Sequence, residues 1–227
     1  MRGGRGKLPV LAEVSGFAPG DDQVWSLRRT DFERLTGVAE RLGGTQSVLV
    51  TGAAELGGSL AIALAGAAGA GGRRTVLVEC DLARPRLAVD LGLEPTPGLH
   101  EYLRWEATPE QILQPLALAG PAAGVASEPL VFVAAGRQAP DPTILLGLQS
   151  FRHMSAKLRA AYDLVVLVGP SLADRGAGLA AIAAGANSLL VAISPRQASR
   201  RGGRELRAAL ADLPVATLGA VVVGAGD

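Results

Sequence analysis

The stretch Val48–Ala65, VLVTGAAELGGSLAIALA, sets Gly52, Gly57, Gly58 and Ser59 at the spacing of a phosphate-binding turn between a strand and a helix. In a complete turn of the form G-x-x-x-x-G-K-[ST], glycines let backbone amides approach phosphate oxygens at the helix N-terminus. The lysine neutralises the terminal phosphates, and the hydroxyl binds magnesium. Here the lysine position holds Gly58, which supplies a turn but no charge. Two other readings of the same residues stay open. One is a dinucleotide-binding turn, T-G-x-x-x-G-x-G, with Glu79 or Asp81 on a ribose hydroxyl. Leu56 then stands where a glycine should admit the pyrophosphate, and Glu106 and Val166, not lysines, stand four residues after Tyr102 and Tyr162. The other is a tight strand-to-helix turn with no ligand.

Further side chains with chemistry lie at the ends of later apolar runs. Glu79 and Asp81 follow TVLV, and Asp81 with Ser59 would touch magnesium if the ion is bound. Asp81 reads equally well as a cap or partner for Arg84. Asp163 reads as solvated, and Asp174 reads as a helix N-cap. His100 and His153 are isolated and read as surface residues. Cys80 is the single cysteine, which excludes an internal disulfide and any cysteine metal cluster; it reads as a small packed residue.

The elements that must position these residues are legible from hydropathy. SVLVTG, TVLVEC, LVFVAAG, LVVLVGP, SLLVAIS and LGAVVVG are unbroken apolar runs, starting at Ser47, Thr75, Leu130, Leu164, Ser188 and Leu218. Such runs mark strands covered on both faces, as in a parallel sheet. Amphipathic stretches lie between most of them: SLRRTDFERLTGVAERL, DPTILLGLQSFRHMSAKLRAAYD and SRRGGRELRAALADL. Strand and helix in alternation predict right-handed crossovers, with the active edge at the carboxyl ends of the strands. GAGLAAIAAGANSLLVAI predicts a helix, a turn and a buried strand, not a membrane span, since Asn187 and Ser188 interrupt it. GPAAGVASEP from Gly120 reads as a loop.

Composition agrees. The chain has 227 residues, enough for one large core. It is 48% hydrophobic but only 4% aromatic, so the core must be built from Ala, Val and Leu, as suits a helix–sheet sandwich. A net charge of +1 gives no global field toward nucleic acid or membrane. MRGGRGK is basic but leads into no adequate apolar segment, so it is a poor signal peptide and reads as a solvated end, with a membrane-surface contact as the alternative.

The motifs taken in order resemble the bacterial tyrosine kinases (BY-kinases) of capsule and exopolysaccharide assembly, a branch of the MinD/ParA-type P-loop class. Thr75–Leu103 resembles their second motif, with Glu79 and Asp81 in the two aspartate positions and Arg84, Pro85, Gly98, Leu99, Tyr102 and Leu103 matching. AAGRQAPDPTILL and AAYDLVVLVGPS resemble later segments, the latter the magnesium-binding strand, and Asp174 matches an aspartate of the family that follows that strand, a reading as open as the N-cap. LPVLAEV resembles the segment that opens the kinase domain. The resemblance spans Leu8 to Gly224. It implies an α/β fold: a P-loop NTPase-like, mostly parallel sheet flanked by helices on both faces. Residues 1–20 would form an N-terminal arm and lead-in segment, and residues 21–227 a single domain.

Several positions depart from the family pattern. Gly58 replaces the lysine, Val168 the strand aspartate, Glu79 the first aspartate, Ala83 an arginine, and Val223 an asparagine near the adenine; the tyrosine-rich tail is missing. Phosphoryl transfer rests on positioning and charge neutralisation, and one lost electrostatic contact costs about 3–4 kcal/mol of transition-state stabilisation. The expected nucleotide site is therefore degenerate: Gly52, Gly57, Gly58, Ser59, Glu79 and Asp81, with Ser59 and Asp81 as the only magnesium ligands. No cofactor is expected, with ATP or ADP and magnesium only if the site still works. A non-catalytic scaffold or regulator of polysaccharide assembly follows. The alternatives are an active autokinase or ATPase with compensating residues such as Arg73, Arg74 or Arg175, a partition-type scaffold, and an NAD(P)-binding protein. The resemblance implies a membrane co-polymerase or adaptor as partner, a homo-oligomer, no nucleic acid, and a cytoplasmic place at the inner face of the plasma membrane through that partner or an upstream segment.

Overall fold

The computed structural model describes residues 8–15, 28–53, 56–118, 130–174 and 178–224. In chain order its elements are β1 (Val10–Val14), α1 (Arg29–Arg41), β2 (Ser47–Gly52), α2 (Leu56–Ala70), β3 (Thr75–Glu79), α3 (Leu87–Asp90), α4 (Leu99–Leu103), α5 (Pro109–Ile112), β4 (Leu113–Leu116), β5 (Leu130–Val133), α6 (Pro142–Gly147), α7 (Gln149–Ala161), β6 (Leu164–Val168), α8 (Leu179–Ala184), β7 (Ser188–Ile193), α9 (Arg200–Leu210) and β8 (Thr217–Val223). They form one eight-stranded sheet in the order β1-β8-β7-β2-β6-β3-β5-β4, parallel except for β4.

Every apolar run predicted as a strand is one. Alternate residues of each strand feed two cores. Val48, Val50, Leu77, Val166 and Val168 face α1, α2 and α3. Leu49, Val76, Val78, Val165 and Leu167 face α4 to α9. Helix α2 is apolar all round because α1 covers the side that the sheet does not; Leu60 to Ala68 are buried without a break.

Some details differ from expectation. The lead-in segment supplies β1, which pairs in parallel with β8 as the edge strand of the same sheet. The stretch from Asp141 is two helices, because Leu148 adopts an extended conformation after the poor helix former Gly147. Strand β4, LQPL, carries no long apolar run and is not among the strands that hydropathy predicts. The helix predicted from Ser26 is described from Arg29, and the loop at residues 120–129 lies outside the described residues. No described helix is long and apolar enough to cross a membrane.

Candidate functional site

The chain leaves β2 at Gly52 and turns into α2. Neighbours of β2 come from later in the chain on both sides, β6 and β7, so the carboxyl end of β2 is the point where strand order reverses. Ligands of open α/β sheets bind there. Gly52 is required by packing: a Cβ on it would meet the Ala192 carbonyl oxygen of β7 at 2.4 Å. Thr51 Oγ1 donates to the Pro170 carbonyl at 2.6 Å and ties the end of β2 to the end of β6. Gly57 also lies tight on β2, its would-be Cβ 3.3 Å from the Thr51 carbonyl carbon. Ala54 and Glu55, within the turn itself, lie outside the described residues.

Gly58 and Ser59 stand in the first turn of α2. The space beside Gly58 is taken. A Cβ there would begin 2.7 Å from Leu87 Cδ1, so a lysine could leave the helix only by displacing the leucine. Leu87 opens α3 and is buried in the same core as Val50 and Val168.

Glu79 explains why Leu87 is there. Its side chain is 2% exposed. One carboxylate oxygen accepts the backbone amides of Arg86 at 2.8 Å and Leu87 at 2.7 Å; the other accepts the Ala135 amide at 3.2 Å. The carboxylate thus holds the N-terminus of α3 against the sheet. Burial pushes its pKa above the ordinary glutamate value, against the pull of these amides. Glu79 and Val168 are register partners across β3 and β6, so the two positions read as acidic in the family pattern are one clasped carboxylate and one packed valine.

Asp81 accepts the Arg84 amide at 3.1 Å, the capping role open to it from sequence. Burial raises its pKa, while the Arg84 amide and charge draw it back. Arg84 also pairs with Asp174. Asp174 is therefore an ion-pair partner and not a helix cap; Gly178 occupies that place for α8. Among the described residues no three His, Cys, Asp or Glu side chains gather to hold a metal.

Two of the candidate rescuing arginines, Arg73 and Arg74, stand at the wrong edge. Arg73 donates to the carbonyl oxygens of Thr45 and Asp163, and Arg74 pairs with Asp163 at 2.9 Å. These contacts cluster where β3 and β6 begin, and the phosphate turn lies where strands end. Asp163 is thus paired and not merely solvated. Arg175 lies outside the described residues. His100 is partly covered, with Nδ1 2.7 Å from the Arg137 carbonyl oxygen, and His153 is exposed. Cys80 is fully buried, and burial raises its thiol pKa far above the ordinary value, as befits a packing residue.

No protein-family profile and no curated protein matches the chain. Solved structures do. The kinase domain of the Escherichia coli tyrosine kinase ETK superposes with a TM-score of 0.78 at 15% identity, over 96% of this chain and 91% of that one. The BceF tyrosine kinase domain gives 0.76 at 20% identity, over 96% and 93%. The fold is that of the bacterial tyrosine-kinase domains. A more distant neighbour with this P-loop sheet is the septum site-determining protein MinD of Pyrococcus horikoshii, complexed with Mg-ADP, with a TM-score of 0.55 at 19% identity over 78% and 68%. Within the tyrosine-kinase fold, the residues present here do not fit a magnesium nucleotide. The lysine position is glycine under a leucine, the strand carboxylate is valine, and the remaining glutamate is engaged by backbone amides.

Proposed function

We propose that this chain is a catalytically inert relative of the bacterial tyrosine kinases, acting by protein contacts as a scaffold or regulator of capsule or exopolysaccharide assembly. The observation that carries the inert reading is Leu87 in the space beside Gly58. A missing lysine could be supplied by another residue, but Leu87 also takes the space that a side chain at position 58 would need. The polysaccharide role rests on the motif order from Leu8 to Gly224 and on the fold shared with tyrosine-kinase domains. On this reading the partner is a membrane co-polymerase or adaptor. The chain works at the cytoplasmic face of the plasma membrane, held by that partner or by an upstream segment, as a homo-oligomer.

The test is incubation with labelled ATP and magnesium, followed by phosphotyrosine detection, beside calorimetric titration with ATP. No labelling and no binding tighter than the high-micromolar range are expected, since several transition-state contacts are lost together. Robust labelling that disappears in Asp81→Ala would instead establish an active autokinase. Loss of surface polysaccharide on deletion of the gene, restored by the protein, tests the pathway separately.

A further inference from the structure

Trp105 stands where the backbone favours glycine. It follows α4, and there the Glu106 amide donates to the Glu101 carbonyl at 2.8 Å and the Trp105 amide to the Tyr102 carbonyl at 3.0 Å. This pair of bonds closes a helix through one residue in the left-handed region, a place usually given to glycine. Trp105 has φ 63°, the only positive φ of a non-glycine among the described residues. Its Cβ crowds the backbone in that conformation. The side chain gains no shelter in return: Trp105 is 81% exposed, more than any other large apolar residue described. Arg104 and Glu106 flank it and join Arg137 and Glu101 in one network of ion pairs whose charges balance.

A hollow lies at the other end of the same sheet face. Where β8 gives way to the edge strand β1, helix α9 leaves a groove of about 500 Å³ with Leu8, Val10, Ile193, Leu206 and Ala220 in its lining. Arg204 and Arg207 stand on its α9 wall. Gly203 lies in that wall too, and a Cβ on it would meet nothing within 4 Å. Helices α4 and α9 both pack on the core that holds Leu99, Leu103, Leu206 and Leu210. The start of α4 is bonded to Ala134 and Ala135, just past β5, and the groove sits at β1 and β8. In the strand order these are opposite ends of the sheet, so Trp105 cannot reach the groove of its own chain.

We propose that Trp105 of one copy inserts into the groove between α9 and β1 of a second copy of this chain, joining copies head to tail. An apolar slot walled by guanidinium groups suits a flat aromatic ring, whose face attracts a cation. The balanced charges around Trp105 bring no net repulsion to Arg204 and Arg207. The Ser199 hydroxyl in the lining accepts one amide, that of Gly202, and keeps a lone pair for the indole N–H. A projection and a hollow at different places on one molecule make a heterologous contact, which builds a ring or a filament. One tryptophan buries about 150–250 Å², against about 1,600 Å² in a stable complex, so the association is weak and depends on concentration. The contact rests on the homo-oligomer of the proposed function and is independent of nucleotide.

The experiment is analytical ultracentrifugation of the full chain from low- to high-micromolar concentration. The mean mass is expected to rise with concentration and to pass that of a dimer, since each copy carries both a projection and a groove. Trp105→Gly should weaken association by at least about tenfold. In dilute solution the same variant should melt about 2–4 °C higher than the parent, because glycine relieves the left-handed position. Gly203→Leu fills the groove and should weaken association to the same extent. An equimolar mixture of the two variants restores one intact contact per pair and should form a dimer and nothing larger. A parent chain that stays monomeric at high-micromolar concentration overturns this contact and the homo-oligomer reading together. Association that neither variant weakens, or a mixture that stays monomeric, overturns the contact and leaves the homo-oligomer reading standing. A lower melting temperature for Trp105→Gly also overturns the contact, by giving the indole a structural role.

Discussion

Leu87 stands over Gly58, with its Cδ1 2.7 Å from where a Cβ on the glycine would lie. The lost lysine and the leucine in its space are therefore one structural fact. Gly58→Lys alone should confer no affinity for ADP or ATP, although it raises helix propensity. Gly58→Lys with Val168→Asp restores charge but must still displace the leucine. Adding Leu87→Ala clears the space, and the triple variant should bind Mg-ADP measurably by calorimetry where the single variant does not. If the single variant hydrolyses ATP, Val168 is not a lost metal position. If a folded triple variant gains no affinity, the assignment of these strands to a phosphate site is in trouble.

Glu79→Ala removes the acceptor of three backbone amides, those of Arg86, Leu87 and Ala135. A buried donor left without a partner costs about 1–3 kcal/mol, so denaturant unfolding should show a loss of roughly 3 kcal/mol or more. Hydrogen exchange should locate the damage, with the Arg86 and Leu87 amides losing protection first. Unchanged protection at those amides would mean that packing alone holds α3.

Gly52→Ala places a methyl carbon 2.4 Å from the Ala192 carbonyl oxygen, in strand backbone that cannot swing aside. A loss on the order of 2 kcal/mol or more is expected in thermal or denaturant unfolding. Gly203→Ala, with nothing within 4 Å, should instead raise stability slightly. The pair separates glycines that packing requires from those it does not.

Asp163 has its pKa lowered below the ordinary value of 3.8, chiefly by its hydrogen bond with the Arg74 side chain. A lowered folded-state pKa contributes stability above the ordinary value, which is lost as the pH falls through the lowered one. Asp163→Asn should therefore be less stable than the parent at neutral pH, and its stability should fall less between about pH 5 and pH 2. Parallel acid-unfolding curves for the two proteins would remove the ion pair from the stability of the β3–β6 junction.

Hydropathy by itself determined the strands of the parallel core, because a strand covered on both faces must be apolar at every position. Residue identity alone set the glycine spacing from Gly52 to Gly58 and the absence of a lysine at Gly58. Strand β4 escaped because a short antiparallel edge strand, LQPL, has no such pattern. What Glu79 does was decided only by tertiary structure. In sequence it was an acidic residue in a nucleotide motif, and no local pattern shows that its carboxylate meets amides seven, eight and 56 residues on. The same holds for Leu87, Arg73 and Arg74. Which edge of the sheet a residue reaches, and which space it fills, depend on crossovers that bring distant strands into register. Those contacts exist only once the sheet has assembled.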